Sequence, residues 1–163
     1  MKKILVFSFL LGIGSLSYSN VSSSGNNEAT MDITATIIKP LTVQSNGPLN
    51  FGSLLPGVIG TARSSFTLSG EENARVKITF DGLEAQEDNF EIPITSTSNS
   101  DSSFMVYFNC TDDSGKKINQ GNKFVYLKSN GKLNLHIAAS ATPETDQAPG
   151  NYTGSIKMRA IYE

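Results

Sequence analysis

Apolar residues recur at every second position in a series of short runs along most of this chain. Met31, Ile33, Ala35 and Ile37 alternate with Asp32, Thr34 and Thr36. Such alternation, rich in β-branched residues, predicts an extended strand with one apolar face. Pro40 interrupts it, because proline has no N–H to give to a ladder. Leu41 and Val43 begin a second short extended piece. Phe66 and Leu68 alternate with Thr67 and Ser69, and Val76, Ile78 and Phe80 with Lys77 and Thr79. Ile92 and Ile94 follow, then runs over residues 104–108 and 124–127. Leu133, Leu135 and Ile137 alternate with Asn134 and His136; a short helix over 133–141 is the competing reading, but the period is nearer two than 3.6. The last run covers 152–162.

Turn-forming residues separate these runs: Asn46-Gly47-Pro48, Ser69-Gly70, Asp81-Gly82, Ser114-Gly115, Asn130-Gly131 and Pro149-Gly150. Asn130-Gly131 between two alternating runs predicts a hairpin. No helix of ten or more residues is expected. Many short strands with regular turns predict an all-β, immunoglobulin-like antiparallel sandwich.

The first residues differ from the rest. Lys2 and Lys3 precede an almost unbroken apolar run over residues 4–16, which ends in small polar residues. This is the pattern of a secretory signal peptide over residues 1–19, with Ser17 and Ser19 at the small-residue positions and a cut before Asn20. The run is too short for a spanning helix of about 20 apolar residues, and no second apolar span follows, so stable membrane insertion is not expected. Residues 20–29 read as a flexible leader. The remaining 20–163 amount to one domain with a real core.

Charge and cysteine content narrow the function classes. Without Lys2 and Lys3, eleven basic residues face fifteen acidic ones. No basic patch suits nucleic acid or anionic lipid. Cys110 stands alone, so an intrachain disulfide is excluded; a small buried hydrophobe is the expected role.

An enzyme is not expected, because the residues do not assemble a catalytic constellation. His136 is the one histidine and sits mid-strand on the polar face. One His and one Cys do not make a zinc site of the usual ligand count. No G-x-S-x-G turn occurs, and Gly57 and Gly60 lack the lysine-serine pair of a phosphate loop. Glu84, Glu87, Asp88 and Glu91, or Asp112 and Asp113 before Gly115, could bind calcium loosely. Neither spacing matches a calcium loop, and solvated loop charge fits better. No cofactor is expected.

The C-terminal run is the most regular. Tyr152, Gly154, Ile156, Met158, Ala160 and Tyr162 fall on one face. Asn151, Thr153, Ser155, Lys157, Arg159 and Ile161 fall on the other. Tyr162 is penultimate and Gly150 is fourteenth from the end. This pairing of a glycine with a penultimate aromatic resembles subunits of chaperone–usher pili. Near the start, the alternating segment is followed by a short break and L-N-F-G (Leu49, Asn50, Phe51, Gly52). That order resembles the spore coat protein U and archaic-pilus subunit family. It resembles still more a related, uncharacterised family of secreted bacterial proteins. That family also ends in a G-x-Y-T-G strand, matched here by Gly150, Tyr152, Thr153 and Gly154. Many archaic subunits carry a Cys soon after the alternating segment; Leu41 stands near that place here.

The resemblance implies an incomplete sandwich that lacks its last strand, with an apolar groove beside unpaired backbone groups. A strand from a periplasmic chaperone fills it first; the N-terminal strand of the next subunit then replaces it at an outer-membrane usher. The implied donor strand lies at 30–39, with Met31, Ile33, Ala35 and Ile37 as its inserted residues, and 40–163 form the body. The implied acceptor groove and chaperone contact comprise Gly150, Tyr152, Ile156, Met158, Ala160 and Tyr162. The expected partners are other copies or homologous subunits, joined by strand addition into a surface fimbria. The alternative is a secreted β-sandwich binding module or adhesin that does not polymerise. The competing reading makes residues 30–38 the first strand of a complete fold; the donor reading fits better, because 41–43 can serve as the first strand of the body.

Overall fold

A computed structural model describes residues 29–163 apart from 84, 87, 88 and 120. The expected signal peptide and most of the leader lie outside the described residues, as do Glu84, Glu87 and Asp88. The chain divides into two units, Met1–Thr36 and Ile37–Glu163. In the first, the described residues 29–36 carry no strand assignment. Met31 and Ile33 are 85% and 92% exposed. The alternation at 30–38 predicts a strand, yet none forms there, because a strand needs a ladder partner.

The second unit is all-β and antiparallel. Its strands are β1 (Thr42–Ser45), β2 (Gly60–Ser69), β3 (Arg75–Phe80), β4 (Ala85–Gln86), β5 (Asn89–Ser96), β6 (Ser103–Asp112), β7 (Lys117–Ile118), β8 (Phe124–Tyr126), β9 (Lys132–Ala141), β10 (Tyr152–Thr153) and β11 (Met158–Tyr162). The larger sheet has the order β1-β2-β9-β6-β5-β10, with β4 on β5 and β7 on β6. The smaller has the order β11-β3-β8. This is the sandwich the turn spacing predicts. The segment at 133–141 is strand, and so is not the competing short helix.

Period two explains which residues meet between the sheets. Leu133, Leu135, Ile137, Ala139 and Ala141 of β9 are buried, as are Val76, Ile78 and Phe80 of β3. Val106, Phe108 and Cys110 of β6 join them. Phe80, Phe90 and Phe108 form an aromatic cluster with centroids 4.7 to 5.4 Å apart, so a ring from each sheet packs across the interface. Along the longest ladder, Phe66 of β2 lies opposite Leu135 and Leu68 opposite Leu133. This pairing fixes the larger sheet's register.

Two local expectations are corrected. The turn at Asn130-Gly131 is tight, with Gly131 N–H donating to the Lys128 carbonyl at 2.8 Å. However, it joins β8 of one sheet to β9 of the other, so it is a link between sheets rather than a hairpin. The regular run at 152–162 is also not one strand. Its start, β10, pairs β5, whereas its end, β11, pairs β3. The crossing lies near Gly154, where a side chain would press on Ile94 Cγ2 at 2.7 Å and on the Pro93 carbonyl at 3.2 Å. Glycine permits this close approach, and the chain passes from one sheet to the other.

Candidate strand-binding slot

β1 bonds to β2 through alternate residues. Thr42 faces Ser69 and Gln44 faces Thr67, and beyond the strand Asn46 N–H donates to the Ser65 carbonyl at 2.9 Å. In an antiparallel pair the intervening residues aim their backbone groups the other way. Val43 and Ser45 therefore present N–H and C=O groups on the side away from β2.

The same reasoning applies to β11. Asp81 N–H donates to the Lys157 carbonyl at 2.9 Å, and Glu163 N–H to the Arg75 carbonyl at 3.1 Å. The odd-numbered residues thus bond toward β3. Met158, Ala160 and Tyr162 aim their backbone groups outward. Among the described residues no strand pairs with the outer edge of β1 or of β11.

These two open edges lie near each other. Tyr162 ties them at one end: its hydroxyl accepts from Glu71 N–H at 2.7 Å and donates to the Lys39 carbonyl at 2.8 Å. Lys39 is held further by Glu71 Oε2, 2.9 Å from its N–H, and by Glu72 Oε1, 3.1 Å from Nζ. The end of β11 therefore sits at the start of β1, and the two edges run in opposite directions.

The floor between them is apolar. Leu41, Met158, Ala160 and Tyr162 are half-buried and packed on the core. At the other end the floor opens into a hollow of about 730 Å³. Leu49, Phe51, Leu54, Ile94, Phe104 and Ile156 are among its lining residues.

Each residue the sequence assigned to the acceptor can be placed. Ile156, Met158, Ala160 and Tyr162 form one half-buried row. Gly150 and Tyr152 line the hollow. Tyr152 belongs to the larger sheet, with its ring 5.0 Å from Phe104 and its hydroxyl 2.8 Å from Ser102 Oγ. It also donates to the Ala148 carbonyl at 2.7 Å, which pins the loop before β10. On the assigned donor, Met31, Ile33, Ala35 and Ile37 are all exposed. The sequence reading missed Val43 and Ser45 as a second open edge, and Leu49, Phe51 and Leu54 as the lip of the hollow. The close spacing of the apolar residues Leu49, Phe51, Leu54 and Leu55 was the signal available for the lip.

Asp112 and Asp113, away from the slot, have structural partners. Asp113 binds Lys128 Nζ at 2.6 Å and His136 Nε2 at 3.0 Å. Its partial burial pushes its carboxyl up. Hydrogen bonds from Lys128, His136 and Asn134 outweigh this and hold it at about 2. Asp112 caps its own turn, accepting from Ser114 N–H at 2.8 Å and Lys116 N–H at 3.0 Å. Cys110 is buried and unbridged, and burial pushes its thiol up to about 12. No known protein-family model matches the chain, and no curated protein does either.

Proposed function

We propose that this protein is an exported structural subunit of a bacterial surface fimbria, polymerised by exchange of the N-terminal strand between copies. The observation that carries this reading is the pairing of an open slot with an exposed segment of matching pattern. The slot offers unpaired backbone edges on β1 and β11 above an apolar floor. The segment offers Met31, Ile33, Ala35 and Ile37 on one face of an extended run. A strand added to a sheet edge gains affinity from backbone bonds and specificity from alternate side chains. Each fully buried Ile or Met would contribute about 1.5–3 kcal/mol. A joint in which one copy's segment enters the next copy's slot is heterologous and does not close, so it grows a filament. A periplasmic chaperone that shields the slot and an outer-membrane usher that orders the exchange complete the pathway.

Replacing Ile33 by Asp tests the reading. An unpaired carboxylate in an apolar slot costs several kcal/mol. Polymers seen by electron microscopy and size-exclusion chromatography should vanish. The circular dichroism of the β domain should stay unchanged, because Ile33 is exposed in the single chain. An unfolded variant would instead make residues 30–38 a strand of the protein's own core. A wild-type chain that stays monomeric at every concentration would favour a binding module.

A further inference from the structure

Ala138 sits on the outer face of the larger sheet, in a strand that is paired on both sides. β9 bonds to β2 on one side and to β6 on the other. Arg63 of β2 and Asn109 of β6 lie directly opposite Ala138 across the two ladders. Thr61 and Tyr107 lie in the same way opposite Ser140, one row along the face. The intervening Ala62, Phe108 and Ala139 are buried in the core, so period two turns these six side chains outward. Alanine is too short to fill the space between its taller neighbours. A recess of about 230 Å³ results, with Arg63, Tyr107, Asn109 and Ser140 among its lining residues.

The polar groups of this recess are unspent. Further along the same face, Asp113 binds Lys128 and His136, and Thr67 bonds to Asn134. Around Ala138 nothing of the kind forms. Among the described residues, the side chains of Thr61, Arg63, Tyr107, Asn109 and Ser140 have no hydrogen-bond or ion-pair partner. Glu91 lies opposite Tyr107, on the side away from Ser140. Three strand spacings, roughly 14 Å, separate its strand from that of Arg63. The Arg63 guanidinium therefore faces solvent with its charge unopposed.

This chemistry selects a ligand. A peptide strand does not add here, because β2, β9 and β6 are each paired on both sides. A lipid tail finds no apolar floor beyond one methyl group. A polymer of phosphates calls for several cations, and the recess has one. A sugar unit with a carboxylate fits. Amide and hydroxyl side chains donate and accept, which matches neighbouring sugar hydroxyls. A guanidinium holds a carboxylate through two parallel bonds. Tyr107 is 43% exposed, and the electron-rich face of its ring suits the C–H face of a sugar.

We propose that the outer face of the larger sheet binds a carboxylated sugar unit of an extracellular polysaccharide, seated over Ala138 between Arg63 and Tyr107. Its place outside the cell rests on the export proposed above; the site itself does not rest on strand exchange. In a fibre every copy would present one such recess, and weak single contacts would combine into firm attachment.

Calorimetric titration of the purified full-length protein tests the site. The probes are oligomers of galacturonic acid and, separately, of glucuronic acid. A neutral maltooligosaccharide and a polyglutamate peptide are the controls. The proposal expects at least one uronate oligomer to bind, and both controls to bind far more weakly. Arg63→Gln should weaken uronate binding about tenfold by removing a charge-assisted pair. Ala138→Leu should abolish binding by filling the recess, with the circular dichroism unchanged. Tyr107→Ser, at an exposed ring, makes the same test should the leucine disturb the sheet. Arg159→Gln, a cation on the smaller sheet, should leave binding unchanged. Three outcomes overturn the proposal: no binding of either uronate, equal binding of polyglutamate or the neutral sugar, or binding that survives the folded recess variants. None of these variants touches the slot, so Ile33→Asp tests strand exchange separately, and either reading can fail while the other stands.

Discussion

The hydroxyl of Tyr162 donates to the carbonyl of Lys39 at 2.8 Å, and so joins the end of β11 to the segment that leads into β1. The two residues are 123 positions apart in sequence. This bond closes one end of the open slot and fixes the point from which residues 30–38 extend. Tyr162→Phe removes it together with the bond from Glu71 N–H. Each net hydrogen bond contributes about 0.5–1.5 kcal/mol. Denaturant unfolding should show a loss of about 1–3 kcal/mol. An unchanged midpoint would mean that the ring alone holds this corner.

Gly131 should not tolerate a side chain. Its φ is +71°, and a Cβ there would run into the carbonyl oxygen of Gly70. That approach supports the bond from Gly70 N–H to the Gly131 carbonyl at 2.9 Å. Gly131→Ala should destabilise the domain by about 1–3 kcal/mol, measured by urea unfolding. Gly115 is a control: its φ is +84°, but nothing lies within 4 Å of its added Cβ, so its cost should be smaller.

Asp113 should make stability depend on acid. Its folded value is held at about 2, below an unfolded value near 3.9. A depressed carboxyl stabilises the fold above its unfolded value and loses that contribution as pH falls toward the folded one. Between about pH 4 and pH 2, wild type should lose more stability than Asp113→Asn. At neutral pH the variant should be the less stable. Parallel slopes of unfolding free energy across this window would show that the bonds to Lys128 and His136 carry no net stability.

Cys110 should be inert while the domain is folded. It is fully buried in β6, and burial raises its thiol to about 12, so little thiolate exists at neutral pH. A thiol reagent should find no reactive group in the native protein and one per chain in denaturant. Rapid native labelling would mean that β6 opens locally.

The sequence by itself determined the alternating cores of the longer strands of the body and the faces they bury. Val76, Ile78 and Phe80, or Leu133, Leu135 and Ile137, alternate because the backbone repeats every two residues, and local pattern suffices to read them. The row Ile156, Met158, Ala160 and Tyr162 was legible for the same reason. Pairing was not legible, because which strands meet depends on contacts between residues far apart in the chain. Only the tertiary structure split the run at 152–162 between two sheets at Gly154, and placed Asn130-Gly131 between sheets rather than within a hairpin. It alone set the edge of β1 beside that of β11. An open edge is defined by a partner that is missing, and alternation looks the same in a strand with two neighbours as in a strand with one. That is why residues 30–38 read as a strand yet form none, and why Val43 and Ser45 gave no sign in the sequence of facing an open edge.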